Sequence, residues 1–147
     1  MINLRAAERV VAALVLAAAC GCGGGGSDGP GTQATPVDYP ADLPVTGTAP
    51  AGATWYAVSG LTAGQAYTAG VEVQQPGPNV ELDVYKAFEP TPPNELCIAS
   101  ADTFVKSCQF TAAGPTAYLM LLNKGATPPT AGFMAGAGIF TLSLLGP

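Results

Sequence analysis

Val80-Glu81-Leu82-Asp83-Val84-Tyr85 alternates apolar and polar side chains over six residues. That period of two is the mark of a β-strand with one face in a core and the other towards solvent. It puts Val80, Leu82 and Val84 on one side and Glu81, Asp83 and Tyr85 on the other. Working outward, Pro76-Gly77-Pro78-Asn79 breaks the chain before this strand, and the Pro-rich loop 89–94 breaks it after. Upstream, Ala53–Ser59 and Gln65–Gln74 read as strands separated by a turn at Thr62-Ala63-Gly64. Downstream, Leu96–Ser100 and Phe104–Thr111 read as a hairpin. Ala117–Asn123 is almost wholly apolar and reads as a central strand, and Gly138–Leu145 closes the chain. The fold class is therefore all-β: an antiparallel, jelly-roll-like sandwich of seven or eight strands.

Composition agrees. Only 10% of the 147 residues are charged against 48% hydrophobic, and 19 Gly and 14 Pro supply turns. The length suits one ordinary domain. The net charge of −5 becomes −6 once Arg5, Glu8 and Arg9 leave with a leader, so no basic surface exists to neutralise phosphates and no nucleic-acid partner is expected. There is no histidine. The usual general base, the commonest metal ligand and every Ser-His or Cys-His arrangement are thus missing. Lys86, Lys106 and Lys124 are scattered over separate strands or strand ends. No catalytic residue, metal or cofactor is expected.

The first 19 residues read as a secretory signal peptide. Arg5 and Arg9 form a positive start, and the ten apolar residues Val10–Ala19 are too few to cross a bilayer. Leu16-Ala17-Ala18-Ala19-Cys20 resembles a bacterial lipobox, with the departure that Leu16 stands four residues ahead of the cysteine. A diacylglyceryl group on Cys20 would hold the chain at a membrane, and Gly21 in the next position favours the outer membrane. Residues 20–42 then form a Gly/Pro-rich tether, with a reach of roughly 20 Å for fifteen residues. Gly21-x-Gly23-x-x-Gly26 matches a dinucleotide fingerprint only formally, because no strand precedes it and no helix follows. Cys22 is left as an odd thiol of the tether. The domain proper is read as 43–147.

Several segments fall in an order that carries a resemblance. They are Trp55-Tyr56-x-Val58, Leu61-Thr62-Ala63-Gly64-Gln65-x-Tyr67-Thr68, Val80–Tyr85, Tyr118-Leu119-Met120 and Phe140-Thr141-Leu142-Ser143. Together they resemble the bacterial pre-peptidase C-terminal domain, over roughly Leu43–Leu145. The resemblance implies a jelly-roll-like sandwich of the kind appended to secreted proteases and other exported enzymes. No peptidase accompanies it within these 147 residues. Some relatives of that domain bind calcium, but the dense Asp/Asn loop that would build an oxygen cage is missing here.

Cys97 and Cys108 each lie five residues from the Asp102-Thr103 centre of the expected hairpin, which would place them opposite one another at disulfide distance. An exported chain favours that pairing. Two unpaired thiols, or a metal site, are the alternatives. Trp55 and Tyr56, as neighbours on one strand, should point one ring into the core and the other outward. Glu81 and Asp83, with Glu72 or Asp102 near them, read as a solvated acidic face. Trp55, Tyr56, Glu81, Asp83 and Tyr85 make up the candidate ligand face. The whole reads as an outer-membrane lipoprotein whose non-catalytic sandwich binds or scaffolds an envelope or extracellular protein or polysaccharide. A structural accessory that stabilises or chaperones a separately encoded enzyme is the alternative. The lipid carries a direct test: Cys20→Ala should abolish palmitate labelling and release the chain from the membrane fraction, whereas unchanged labelling would refute Cys20 as the site.

Overall fold

The structure, a computed structural model, describes residue 33 and residues 36–39, 44–128 and 132–147. The leader, Cys20, Cys22 and most of the tether lie outside the described residues. Among the described residues nine strands form two layers: β1 (Val37–Tyr39), β2 (Val45–Ala49), β3 (Gly52–Ser59), β4 (Ala66–Val73), β5 (Val80–Tyr85), β6 (Glu95–Ala99), β7 (Val105–Thr111), β8 (Thr116–Asn123) and β9 (Gly138–Leu145). Sheet A has the order β1-β3-β8-β5-β6 and sheet B the order β2-β9-β4-β7. All ladders are antiparallel except β1 on β3. The apolar segment 117–123 is indeed central, flanked by β3 and β5.

The core lies between the layers. Val58, Val80, Leu82, Val84, Leu119 and Leu121 from sheet A meet Val71, Cys108, Phe140 and Leu142 from sheet B, all essentially closed to solvent. Removing a leucine from such a site costs about 2–5 kcal/mol. Polar side chains tie the layers where apolar ones run out. Tyr39 Oη donates to Leu142 O across the sandwich at 3.2 Å. At one end, Asn123 Nδ2 donates to Ala49 O and Gly136 O, each at 2.9 Å, and its Oδ1 accepts from Gly125 N.

The structure differs from the sequence reading in three places. The first strand begins at Val37, ahead of residue 43, and β2 adds a second unexpected strand. Neither has a strong pattern: β1 is three residues long, and β2 alternates outward Thr46 and Thr48 with inward residues that include only Gly47 and Ala49 after Val45. Those residues are small because the Phe140 ring lies over Gly47, where an added Cβ would come within 2.9 Å of Phe140 Cζ. Finally, β6 and β7 are not a hairpin. β6 pairs with β5 in sheet A and β7 with β4 in sheet B, so the link between them changes layer.

Cys97 and Cys108 are nonetheless bonded, with Cα atoms 5.9 Å apart. The bond joins the edge strand of one sheet to the edge strand of the other rather than spanning a ladder. Closing a loop of this size contributes roughly 3 kcal/mol in the chain-entropy account. The double variant Cys97→Ala/Cys108→Ala should therefore lose about 3 kcal/mol of unfolding free energy in urea, and a loss under about 1 kcal/mol would contradict a stapling role.

Candidate functional site

The two outer faces differ in what they offer a ligand. On sheet A the register aligns three outward rows. Ala53, Leu122 and Glu81 form one, Trp55, Met120, Asp83 and Ile98 the next, and Ala57, Tyr118 and Tyr85 the third. Trp55 and Tyr56 do point to opposite faces, with Tyr56 in the core between Tyr39 and Phe140. Trp55 is on the outer side yet only 4% exposed, its ring 5.7 Å from that of Tyr85. Phe88 packs at a tilt against Tyr118, ring centroids 3.9 Å apart, and Gln33, ahead of β1, donates its side-chain amide to Phe88 O. A solvated acidic face is therefore not what the structure shows. Glu81 pairs with Lys124 at 3.2 Å, and Asp83 is 2% exposed.

Asp83 is an electrostatic anomaly on this face. Its Oδ2 accepts from Tyr85 Oη at 3.1 Å, and among the described residues its Oδ1 has no partner. Burial, reinforced by the Glu81 charge, pushes the carboxyl up to about 6, and the Tyr85 hydrogen bond only partly offsets this. Burial, and then Asp83 itself, push the Tyr85 hydroxyl up as well. The folded state thus holds a proton that the unfolded chain releases near pH 4. Asp83 favours folding most at low pH, and that advantage is lost as pH rises through about 6.

The outer face of sheet B is open. Gly70, in the middle of β4, lets the Ser143 hydroxyl lean over its backbone, and a shallow hollow there is bordered by Thr68, Glu72, Val105, Ser107, Ser143 and Leu145. This hollow of about 240 Å³ shares Glu72 and Thr141 with a second of about 280 Å³ that runs past Thr46 and Gln74 to Ile139. The two hollows adjoin at the Glu72–Thr141 pair, and hydroxyls and amides line both. Exposed aliphatic side chains stand beside them: Val105 at 63%, Ile139 at 51% and Leu145 at 67%. None of these was in the expected ligand face. The available signal was the unusual Thr/Ser content of the outward positions on β2, β4, β7 and β9.

A second group was missed as well. Lys106 is buried on β7, in phase with the inward Cys108 and Phe110, where it meets Asn79. A lysine on the apolar parity of a strand was the clue. Among the described residues, no group of three or more Cys, Asp or Glu could hold a metal ion.

The Asp83 geometry has a measurable outcome. Between pH 4 and pH 7 the wild type should lose about 2 kcal/mol more unfolding free energy than Asp83→Asn, a two-unit shift discounted for screening at the sheet surface. Parallel pH profiles for the two proteins would contradict the burial argument.

No family model and no curated protein matches this chain. Among solved structures it is similar to the 1.0 Å crystal structure of the pre-peptidase C-terminal domain of the collagenase from Bacillus anthracis, at 14% identity and a TM-score of 0.54. The match covers 74% of this chain and 93% of that one. Two layers, strand composition and coverage agree with the resemblance read from the sequence, and the chain carries the fold of a pre-peptidase C-terminal domain.

Proposed function

We propose that the chain is a non-catalytic module, tethered to a membrane through Cys20, that holds an extended polypeptide of the envelope or extracellular space along sheet B. The observation that carries this reading is the pair of adjoining hollows on the outer face of sheet B, with their polar lining and exposed aliphatic margins. Main-chain amides of an extended ligand would find Thr, Ser and Gln partners there, and Val105, Ile139 and Leu145 would cover its apolar side chains. A polysaccharide fits less well. Among the described residues no exposed aromatic ring lines either hollow, whereas the rings on sheet A are largely closed to solvent.

Placement supports the same reading. The tether joins the domain through β1 in sheet A, and Gln33 lies against Phe88 beyond the end of β5. The opposite layer is then the one left for a partner. The neighbour of known structure belongs to a collagenase, a protease, which fits a module that acts on polypeptide without cleaving it.

The test substitutes exposed positions only. Val105→Asp/Ile139→Asp should weaken retention on immobilised gelatin or casein at least tenfold, about 1.4 kcal/mol, with the unfolding midpoint unchanged. Ile98→Asp on sheet A should bind like wild type. Retention on cellulose or xylan but not on polypeptide, or binding indifferent to the Val105/Ile139 pair, would refute the reading.

A further inference from the structure

Lys106 is only 5% exposed, at the inner side of β7. Its Nζ donates to Asn79 Oδ1 at 2.7 Å and to Val80 O. Asn79 is fully buried and held on every side. Its main-chain N donates to Gly125 O and its main-chain O accepts from Lys124 N, both at 2.8 Å. Its Nδ2 donates to Asp102 Oδ1 at 2.8 Å and to Thr127 O at 2.7 Å. Two acceptors on one side and an ammonium on the other fix which way round the amide sits. Nothing here is an ordinary ion pair: among the described residues Lys106 has no carboxylate within bridging distance. A buried cation without one is expensive to keep.

We propose that Lys106 and Asn79 join in an intramolecular amide cross-link. The lysine nitrogen is 2.7 Å from Oδ1. With a C=O bond of about 1.2 Å, it is no more than about 3.9 Å from Cγ, close to the ~3–3.5 Å of a near-attack geometry. The Nζ lone pair adds to Cγ, the Cγ–Nδ2 bond breaks, and the departing nitrogen leaves with the proton that the lysine gives up. Lysine ammonium plus asparagine amide becomes a secondary amide plus ammonium ion, with charge conserved and no oxidant or reductant needed.

Three features of the site serve that reaction. Burial, and then the Lys124 charge, lower the Lys106 ammonium to about 8, so an appreciable share is neutral amine near neutrality. The Asp102 carboxylate accepts from Nδ2; once Nζ has bonded to Cγ and both nitrogens share that carbon, it is placed to pass the proton from the attacking nitrogen to the leaving one. Asp102 is also exposed, which gives ammonia a way out. The new N–H keeps Val80 O as its acceptor. Because Asn79 adjoins β5 and Lys106 lies on β7, the cross-link would bond sheet A to sheet B. It would do so two residues from Cys108, on the same inward face.

The experiment is mass spectrometry on the full chain, reduced and unfolded after incubation in the folded state at pH 8. Wild type should be about 17 Da lighter than the mass calculated for its processed chain, the mass of one ammonia, and proteolysis should yield a branched peptide containing both Asn79 and Lys106. Lys106→Arg should show the full mass. Asp102→Ala, substituted at the exposed position, should fold by circular dichroism yet form the cross-link at least tenfold more slowly. A folded wild type that keeps its full mass and gives separate Asn79 and Lys106 peptides would overturn the proposal. So would an Asp102→Ala protein that cross-links at the wild-type rate.

Discussion

Everything in this domain depends on keeping two thin sheets face to face. Each sheet contributes apolar side chains from alternate residues only, so neither has a core of its own. Leu82, Leu119 and Leu121 on one side and Phe140 and Leu142 on the other fill the interior, and the hydrophobic gain from their burial is available only while the layers touch. The polar ties are placed where that filling thins. Tyr39 reaches across to Leu142, Asn123 gathers three backbone groups at one end, and Cys97–Cys108 joins the outer strands at one side.

Much of this architecture is legible in the sequence because its determinants are local. Period-two alternation in Val80–Tyr85 and turn residues such as Pro76–Pro78 act over a few positions, and the seven strands from β3 onward follow from them. Layer membership is not local. Cys97 and Cys108 sit symmetrically about Asp102-Thr103, and symmetry suggests a hairpin. Yet Phe104 O accepts from Val73 N, turning the chain towards β4 and the other sheet. The pairing was readable while its geometry was not. β2 escaped because Gly47 leaves its inward volume to Phe140, and a short strand whose partner supplies the bulk alternates only weakly in hydrophobicity.

The candidate site was less legible, and the reason is physical. Alternation assigns a side chain to a face but says nothing about how wet that face is. Asp83 and Tyr85 point outward as read, but large neighbours such as Trp55 shut them off, and the carboxyl's affinity for its proton rises accordingly. Lys106 shows the converse: its charge suggests an exposed strand position, while its phase with Cys108 and Phe110 takes it inward. On sheet B the informative residue was a glycine, since Gly70 matters for the side chain it lacks.

The short parallel strand β1 has a mechanical meaning. A pull on the chain ahead of it would meet the Gln33–Phe88 contact and then Val37, Asp38 and Tyr39, paired with Tyr56, Ala57 and Val58. Three paired residues would then carry the load before the longer ladders of sheet A feel it, so the N-terminal end of the sandwich can yield without the core. Tyr39 sets where yielding would stop being cheap, because freeing it breaks the tie to Leu142 and opens the core beside Tyr56.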